Sequence, residues 1–159
     1  MGSDQPTAPK LNDEEVALFC NAIGVAPRKM GQAARELVEK YDLGHRGVWI
    51  MAMINGGLDS PSRLSDALCI GRSLFTAELS RLVAAGLVES SKDARDGRRL
   101  LLRLTDKGLA ENARLQKTVN GFVNENLAGF DKHDVMLCTK LLLSFAGSVS
   151  SIISAKGDD

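Results

Sequence analysis

The chain has 159 residues, and its 20 Lys and Arg balance 20 Asp and Glu, so the formal net charge at pH 7 is zero. This length suits one domain with a modest core, and the balanced charge excludes a polycation that binds nucleic acid over its whole surface. The three cysteines are far apart, and no apolar run is long enough for a membrane span. We therefore expect a cytoplasmic protein without disulfides, metal site, cofactor or membrane segment.

The predicted elements begin after a flexible arm at residues 1–10, which carries two prolines and no hydrophobic period. A first helix within residues 11–43 is predicted to be capped by Asn12 or Asp13, and Glu15 can close a capping box from Asn12. Proline within a helix removes a hydrogen bond, so we predict a kink near Pro27. The helix has one shared apolar face, formed by Val16, Phe19, Cys20 and Ile23.

Residues 46–55 form an almost continuous apolar segment that is too short to span a membrane, which predicts a helix at the centre of the domain. Residues 58–60 are predicted to add a short strand that pairs with a later hairpin. Proline is tolerated in the first turn of a helix, so a supporting helix is predicted to begin at Pro61, with Ser60 as its cap and Leu64 facing inward.

A second helix is predicted from about Gly71 to Ala85, because Gly86 follows as a stop signal. At about 100° per residue, its apolar side chains fall on one arc, and short polar or basic side chains fall on the other. The apolar arc holds Leu74, Phe75, Leu79 and Leu82, and the polar arc holds Arg72, Ser73, Thr76 and Ser80.

Two strand-like runs follow, at residues 87–91 and 99–104. Asp96 and Gly97 between them suit a tight turn, since glycine adopts positive φ without a clash. A helix with small hydroxyl side chains fits a DNA major groove, and a basic hairpin beside it can reach the backbone or the minor groove. The alternative is a solvated charged loop on a small α+β domain. The basic residues at or near the hairpin tip are Lys92, Arg95, Arg98 and Arg99.

After the hairpin, Thr105 is predicted to cap a long helix that runs to about Leu127, and Gly129 separates it from a last helix that starts at Asp131. The last helix carries an apolar stripe longer than one small domain covers. Burial of each large side chain contributes roughly 1.5–3 kcal/mol, so we predict that a second copy covers the stripe. The alternative is a monomer whose terminal helices pack on each other. The stripe consists of Val135, Cys138, Leu141, Leu142, Phe145, Val149, Ile152 and Ile153.

The order of these elements predicts a mainly helical α+β fold with a small antiparallel β-wing, that is, a winged helix-turn-helix with dimerisation helices at both ends. Residues 44–105 would form the DNA-binding lobe. Residues 11–43 and 106–155 would form the dimerisation helices, and residues 156–159 a tail.

A run of short motifs extends from the second helix through the hairpin to the helix that follows. They are Arg81-Leu82, Ala85-Gly86-Leu87-Val88, Asp93, Asp96, Arg98 and Leu102-Arg103-Leu104-Thr105-Asp106-Lys107-Gly108. In these motifs the chain resembles the MarR family of winged-helix regulators. The resemblance implies a homodimer that binds double-stranded DNA at a pseudo-palindromic operator, usually as a repressor. It also implies that a small aromatic or phenolic molecule often loosens this binding.

The resemblance and the polar arc together predict the DNA-binding residues. Arg98 matches the wing arginine that in the family commonly enters the minor groove, whose narrow form attracts guanidinium groups. Its alternative role is an ion pair with Asp93 or Asp96 that stiffens the hairpin. Ala77 stands where many relatives carry a polar residue, which leaves a methyl group to meet a thymine methyl. The predicted DNA-binding residues are Ser62, Arg72, Ser73, Thr76, Ser80, Lys92, Arg95, Arg98 and Arg99.

The resemblance also places an effector pocket between the dimerisation helices and the DNA-binding lobe. Trp49 would stack on an aromatic ring, and His45 or Arg46 would hold a carboxylate or phenolate. The alternatives are plain core for Trp49 and Met53, and helix-start surface or phosphate contacts for His45 and Arg46. The predicted effector residues are Met30, Ala34, His45, Arg46, Trp49 and Met53.

Cys20 supports a competing mechanism, because peroxide-sensing members of the family carry a reactive cysteine in the first helix. The interval from Cys20 to Arg28 resembles theirs, but Ala34 and His45 replace the tyrosines that hydrogen-bond the thiolate. His45 would then favour the reactive thiolate. The alternative is a buried, inert thiol in the apolar face.

An enzyme and a protein-binding module are the alternatives to a DNA-binding regulator. The sequence has no glycine-rich phosphate loop, metal-ligand cluster or nucleophile with a nearby histidine, so we do not predict an enzyme. A winged-helix module that contacts only proteins would share the fold and the core. Replacement of Arg72 or Arg98 separates these two classes, because only the regulator has DNA affinity to lose.

Overall fold

The computed structural model describes residues 9–93, 96 and 99–145. These residues form seven helices and two strands, and the predicted mainly helical winged helix-turn-helix fold is confirmed. In chain order the elements are α1 (Asp13–Gln32), α2 (Arg35–Tyr41), α3 (His45–Asn55), α4 (Pro61–Ala67), α5 (Arg72–Ala84), β1 (Val88–Lys92), β2 (Leu100–Leu104), α6 (Asp106–Asn126) and α7 (Lys132–Phe145).

The wing is the antiparallel pair of β1 and β2, which runs from Val88 opposite Leu104 to Lys92 opposite Leu100. The prediction of a strand at residues 58–60 is wrong, because no strand forms there. A backbone hydrogen bond still joins this segment to the wing, from the Leu102 N–H to the Asp59 carbonyl oxygen at 2.7 Å. Pro61, two residues after Asp59, has no N–H and begins α4, so the pairing with the wing is not extended.

The hydrophobic core lies where α3, α5 and the wing meet, and α3 is central to it, as predicted. One face of α3 stays open, since Trp49 is 48% exposed, and the alternative that Trp49 is plain core is wrong for the single chain. Leu74 lies at the edge of the apolar arc of α5 and is 38% exposed, whereas Phe75 is buried. The fully buried side chains of the core include Ile50, Met51, Leu64, Leu82 and Leu102.

Three helix starts were predicted from capping residues, and each of these residues occupies the N-cap position. The Asn12 side chain accepts from the Glu15 N–H at 2.9 Å, and the Glu15 carboxylate accepts from the Asn12 N–H at 2.8 Å. The Thr105 hydroxyl oxygen accepts from the Gly108 N–H at 3.0 Å. Ser60 is the N-cap residue of α4 with an extended backbone, as predicted, but its side chain makes no capping hydrogen bond. Its hydroxyl is buried and has no partner among the described residues.

Pro27 does not interrupt α1, although a kink was predicted there. The helix continues to Gln32, and the break falls at Ala33 and Ala34, before α2. Proline leaves one carbonyl of the preceding turn without a donor. Because α1 has no buried residue, that carbonyl is open to water and the helix can continue.

The two terminal helices expose most of their apolar side chains. Neither α1 nor α7 contains a buried residue, and Leu141 of the predicted stripe is 51% exposed. The rings of Phe19 and Phe145 lie 5.5 Å apart, which places the two helices side by side. The end of the predicted stripe, at Val149, Ile152 and Ile153, lies outside the described residues.

Candidate DNA-binding surface

A cleft of about 390 Å³ opens between the start of α4, the start of α5 and the beginning of β2. Buried Phe75 lines it from the core side. Among the described residues that line the cleft, only two are charged, and both are arginines, so the cleft is cationic. Four of the predicted DNA-binding residues meet in this cleft, namely Ser62, Arg72, Thr76 and Arg99.

Local hydrogen bonds hold three of these residues in place. Arg72 is the first residue of α5, and its carbonyl accepts from the Thr76 hydroxyl at 2.8 Å. This bond uses the hydroxyl hydrogen, so the Thr76 oxygen remains available as an acceptor. Two backbone bonds hold Arg99 at the foot of β2: its N–H donates to the Asp96 carbonyl at 2.8 Å, and its carbonyl accepts from the Asp93 N–H at 2.9 Å.

Three other predicted DNA-binding residues lie outside this cleft. Ser73 and Ser80 are exposed on α5, and Lys92 is exposed at the end of β1. Arg95 and Arg98 lie outside the described residues. The described surface is therefore an open face of α5 with a cationic cleft on its wing side.

Glu78 lies buried behind this surface, and the sequence prediction did not include it. It lies on the inner side of α5 and is 4% exposed. Its Oε2 accepts from the Gly44 N–H at 3.1 Å, at the start of α3, and its Oε1 lies 3.4 Å from Nη1 of Arg81. The available signal was a charged residue placed between Phe75 and Leu82 in an apolar arc, because a buried charge needs partners.

A second polar cluster joins α2 to α6 behind the DNA-binding lobe. The Glu111 carboxylate accepts from Lys40 Nζ at 2.6 Å and from the Tyr41 hydroxyl at 2.8 Å. The bond from Lys40 is the main reason that the pKa of Glu111 is lowered and the pKa of Lys40 is raised. Lys107 Nζ lies 4.6 Å from the centre of the Tyr41 ring and donates to the Ala85 carbonyl at the end of α5. The cluster therefore connects α2 and α6 to the end of α5.

The predicted effector residues do not form a closed site in the single chain. His45, Arg46 and Trp49 are exposed on the open face of α3, whereas Ala34 is buried. A second cleft, of about 260 Å³, lies between α2 and α6. None of the predicted effector residues lines this cleft or the cleft beside α5. Met30 and Met53 are half-buried.

Cys20 is exposed on α1, so a buried thiol is wrong for the single chain. His45 Nδ1 lies 3.8 Å from the position that a Cβ on Gly31 would take. Gly31 follows Cys20 by roughly 16 Å along the helix, at about 1.5 Å per residue. Within one chain, His45 is therefore too far from Cys20 to hydrogen-bond the thiolate.

Two further properties concern only the part of the chain that the structure describes. It contains no group of three or more His, Cys, Asp or Glu side chains arranged to hold a metal ion. None of its helices is both long and apolar enough to cross a membrane.

Comparison with known proteins bears on the same region. Residues 43–108 match the family model of a winged helix DNA-binding domain. No curated protein matches the sequence.

Solved structures match most of the chain. A MarR protein from Peptoclostridium difficile is 19% identical, with 94% of this chain and 99% of that chain covered and a TM-score of 0.72. A mutant MarR from E. coli, in complex with operator DNA, is 21% identical, with 86% and 99% covered and a TM-score of 0.66. NadR in complex with 4-hydroxyphenylacetate is 23% identical, with 91% and 99% covered and a TM-score of 0.69. Residues 43–108 are therefore similar to winged helix DNA-binding domains, and the chain has the fold of the MarR proteins, as the sequence resemblance predicted.

Proposed function

We propose that the chain is a sequence-specific transcriptional regulator that binds a pseudo-palindromic operator as a homodimer. The observation that carries this proposal is the cationic cleft, in which Arg72 of α5 and Arg99 of the wing lie beside the hydroxyl groups of Ser62 and Thr76. Arginines and hydroxyl groups are the usual donors to phosphate oxygens and base edges. The overall charge is zero, so DNA affinity has to come from this local surface.

The direction of α5 favours entry of its first turns into the major groove. The N-terminal end of a helix carries a partial positive charge, and Arg72 and Ser73 lie at that end of α5. The side chains on the outer side of the helix are short and mostly polar as far as Ser80, so this side can approach base edges closely. The wing beside it would then follow the DNA backbone.

Dimerisation is supported by the exposed apolar side chains of the terminal helices. On α1, Leu18 is 72% and Val25 is 54% exposed, and on α7, Leu137 and Leu141 are both 51% exposed. Contiguous apolar surface of this kind marks an interaction site in soluble proteins. A two-fold axis through these helices would hold the two copies of α5, the recognition helix that would enter the major groove, at a fixed spacing of one DNA turn, about 34–36 Å.

We propose further that the regulator represses transcription until a small aromatic or phenolic molecule binds. The open face of α3 supports this, because Trp49 and Arg46 are both exposed and stand three residues apart on the helix. An indole ring and a guanidinium group together suit an aromatic acid. The structure of NadR with 4-hydroxyphenylacetate supports the same class of ligand.

The test is binding to labelled duplexes that cover the intergenic DNA upstream of the chain's own gene, at two salt concentrations. We expect tight, salt-sensitive binding at one palindrome, and a loss of order 1–3 kcal/mol for Arg72→Ala or Arg99→Ala. Arg35→Ala is the matched control, because Arg35 is exposed on α2 and outside the cleft. Binding no tighter than to random DNA would instead indicate a winged-helix module for protein contacts.

Adding ligands to the same assay separates the two modes of release. Release by aromatic acids that is lost in Trp49→Ala would support the effector site on α3. Release by mild peroxide that is lost in Cys20→Ser would support a thiol sensor instead. Activity of a reporter gene under the operator, with and without the protein, then decides between repression and activation.

A further inference from the structure

The contact between Glu78 and Gly44 links the recognition helix to the start of α3. Glu78 is almost fully buried, and its carboxylate accepts from the Gly44 N–H at 3.1 Å. A buried carboxylate is retained only where hydrogen bonds and opposite charge compensate its lost hydration. Here the start of α3 supplies the N–H and the positive end of the helix dipole, and Arg81 supplies the cation at 3.4 Å.

Gly44 has no side chain at the one place where Glu78 needs the space. Its φ of −74° and ψ of 158° are open to any residue, so the backbone does not require glycine. A Cβ on Gly44 would contact Glu78 Oε1 and would lie 2.6 Å from Glu78 Cδ. The glycine and the carboxylate therefore fit each other, and any larger residue would push the carboxylate away.

Glu78 shares a rigid helix with the residues of the cationic cleft. It follows Thr76 by two positions, which is about 200° around the helix, so the two side chains lie on opposite sides of α5. A rotation of α5 that displaces the Glu78 carboxylate also displaces Thr76 and Arg72. The inner contact with α3 thus sets how the outer face is presented.

We propose that Glu78 is a positioning residue that couples the start of α3 to the orientation of the recognition helix. Its consequence for DNA binding rests on the proposed function. The start of α3 also carries His45, whose Nδ1 lies 3.8 Å from the position that a Cβ on Gly31 of α1 would take. A movement of α1 that shifts the start of α3 would therefore reach α5 through Gly44 and Glu78.

The test uses Gly44→Ala to displace the carboxylate without changing Glu78. We expect operator affinity to fall roughly tenfold, a coupling typical of side chains in direct contact. In a Glu78→Ala background, Gly44→Ala should add little, because the group that it displaces is gone. Glu78→Gln should stay close to wild type, since its amide oxygen can still accept from the Gly44 N–H. Gly121→Ala is the control, because Gly121 lies on α6, outside α1 and α7, and a Cβ there meets nothing within 4 Å.

Hydrogen exchange of the α5 amides provides a readout that needs no DNA. We expect faster exchange across α5 in Gly44→Ala and in Glu78→Ala, with no further increase in the double variant. Additive effects, or a lower melting temperature with unchanged affinity and unchanged exchange in α5, would overturn the coupling. If wild type binds no duplex specifically, the proposed function fails, while the exchange data still decide whether Glu78 orients the helix.

Discussion

The DNA-binding lobe and the terminal helices cover their apolar side chains in opposite ways. In the lobe, Ile50 and Leu82 have no exposed surface, and Leu102 of the wing is only 1% exposed. In the terminal helices no residue of α1 or α7 is buried, and Phe145 is 70% exposed although its ring lies beside Phe19. The two regions therefore draw on different sources of stability.

This difference indicates that the lobe holds its shape from within, whereas the terminal helices depend on cover from outside the single chain. Burial of one large apolar side chain is worth about 1.5–3 kcal/mol, so an open face of this size is costly in water. Substitutions in the lobe should therefore act on folding, and substitutions in the terminal helices should act on assembly.

The largest effect is expected at Gly108, in the seam between α6 and the wing. A Cβ there would contact the Leu87 carbonyl oxygen and would lie 2.9 Å from its carbon. Backbone atoms cannot swing away as a side chain can, so Gly108→Ala should lower the free energy of unfolding by about 3 kcal/mol or more. Urea denaturation measures this change.

Gly121→Ala is the matched control on the same helix, because a Cβ there meets nothing within 4 Å. Alanine is the better helix former, so we expect a gain of about 0.5–1 kcal/mol. If Gly108→Ala and Gly121→Ala changed the unfolding free energy alike, the lobe would not be the rigid region that the comparison describes.

A substitution on α7 should change assembly and leave the lobe folded. Leu141→Asp places a charge in the proposed interface and should weaken the dimer by about 3 kcal/mol, which is roughly a hundredfold. Analytical ultracentrifugation measures the dissociation constant of the dimer. Val83→Asp is the control, because Val83 is 44% exposed, similar to Leu141, but belongs to the lobe. If Leu141→Asp and Val83→Asp weakened the dimer equally, or if the wild type were a monomer, the proposal that α7 contributes to the dimer interface would be contradicted.

The sequence predicted the lobe well because its local signals agree with one another. The apolar segment at residues 46–55, the stop at Gly86 and the Thr105 cap each act within a few residues, and each fixes an element of the fold. The cleft could also be anticipated, since Arg72 and Thr76 lie one turn apart on the polar arc of a single helix.

Contacts between distant segments could not be read from periodicity. Gly44 and Glu78 are far apart in sequence, and only the packing of α5 on α3 shows why one is small and the other charged. The exposed Trp49 is a similar case, because an apolar segment does not reveal which of its faces stays open. Pro27 did not end α1, because an exposed helix can hydrate the carbonyl that proline leaves without a donor.

The smallest predicted effect concerns Glu111, at the junction between the two regions. Its bonds from Lys40 and Tyr41 lower the pKa of Glu111 below its ordinary value of 4.5, so the folded state favours the ionised carboxylate. The resulting stabilisation is fully present above pH 4.5 and is lost as the pH falls through the folded-state pKa. Glu111→Gln should therefore lower the free energy of unfolding in urea by up to about 1 kcal/mol at neutral pH, and this difference should disappear in acid.

Glu36→Gln is the control, since the Glu36 side chain is 78% exposed in its ion pair with Arg114 and should contribute less. A difference between wild type and Glu111→Gln that did not vary with pH would show that shape, and not charge, joins α2 to α6.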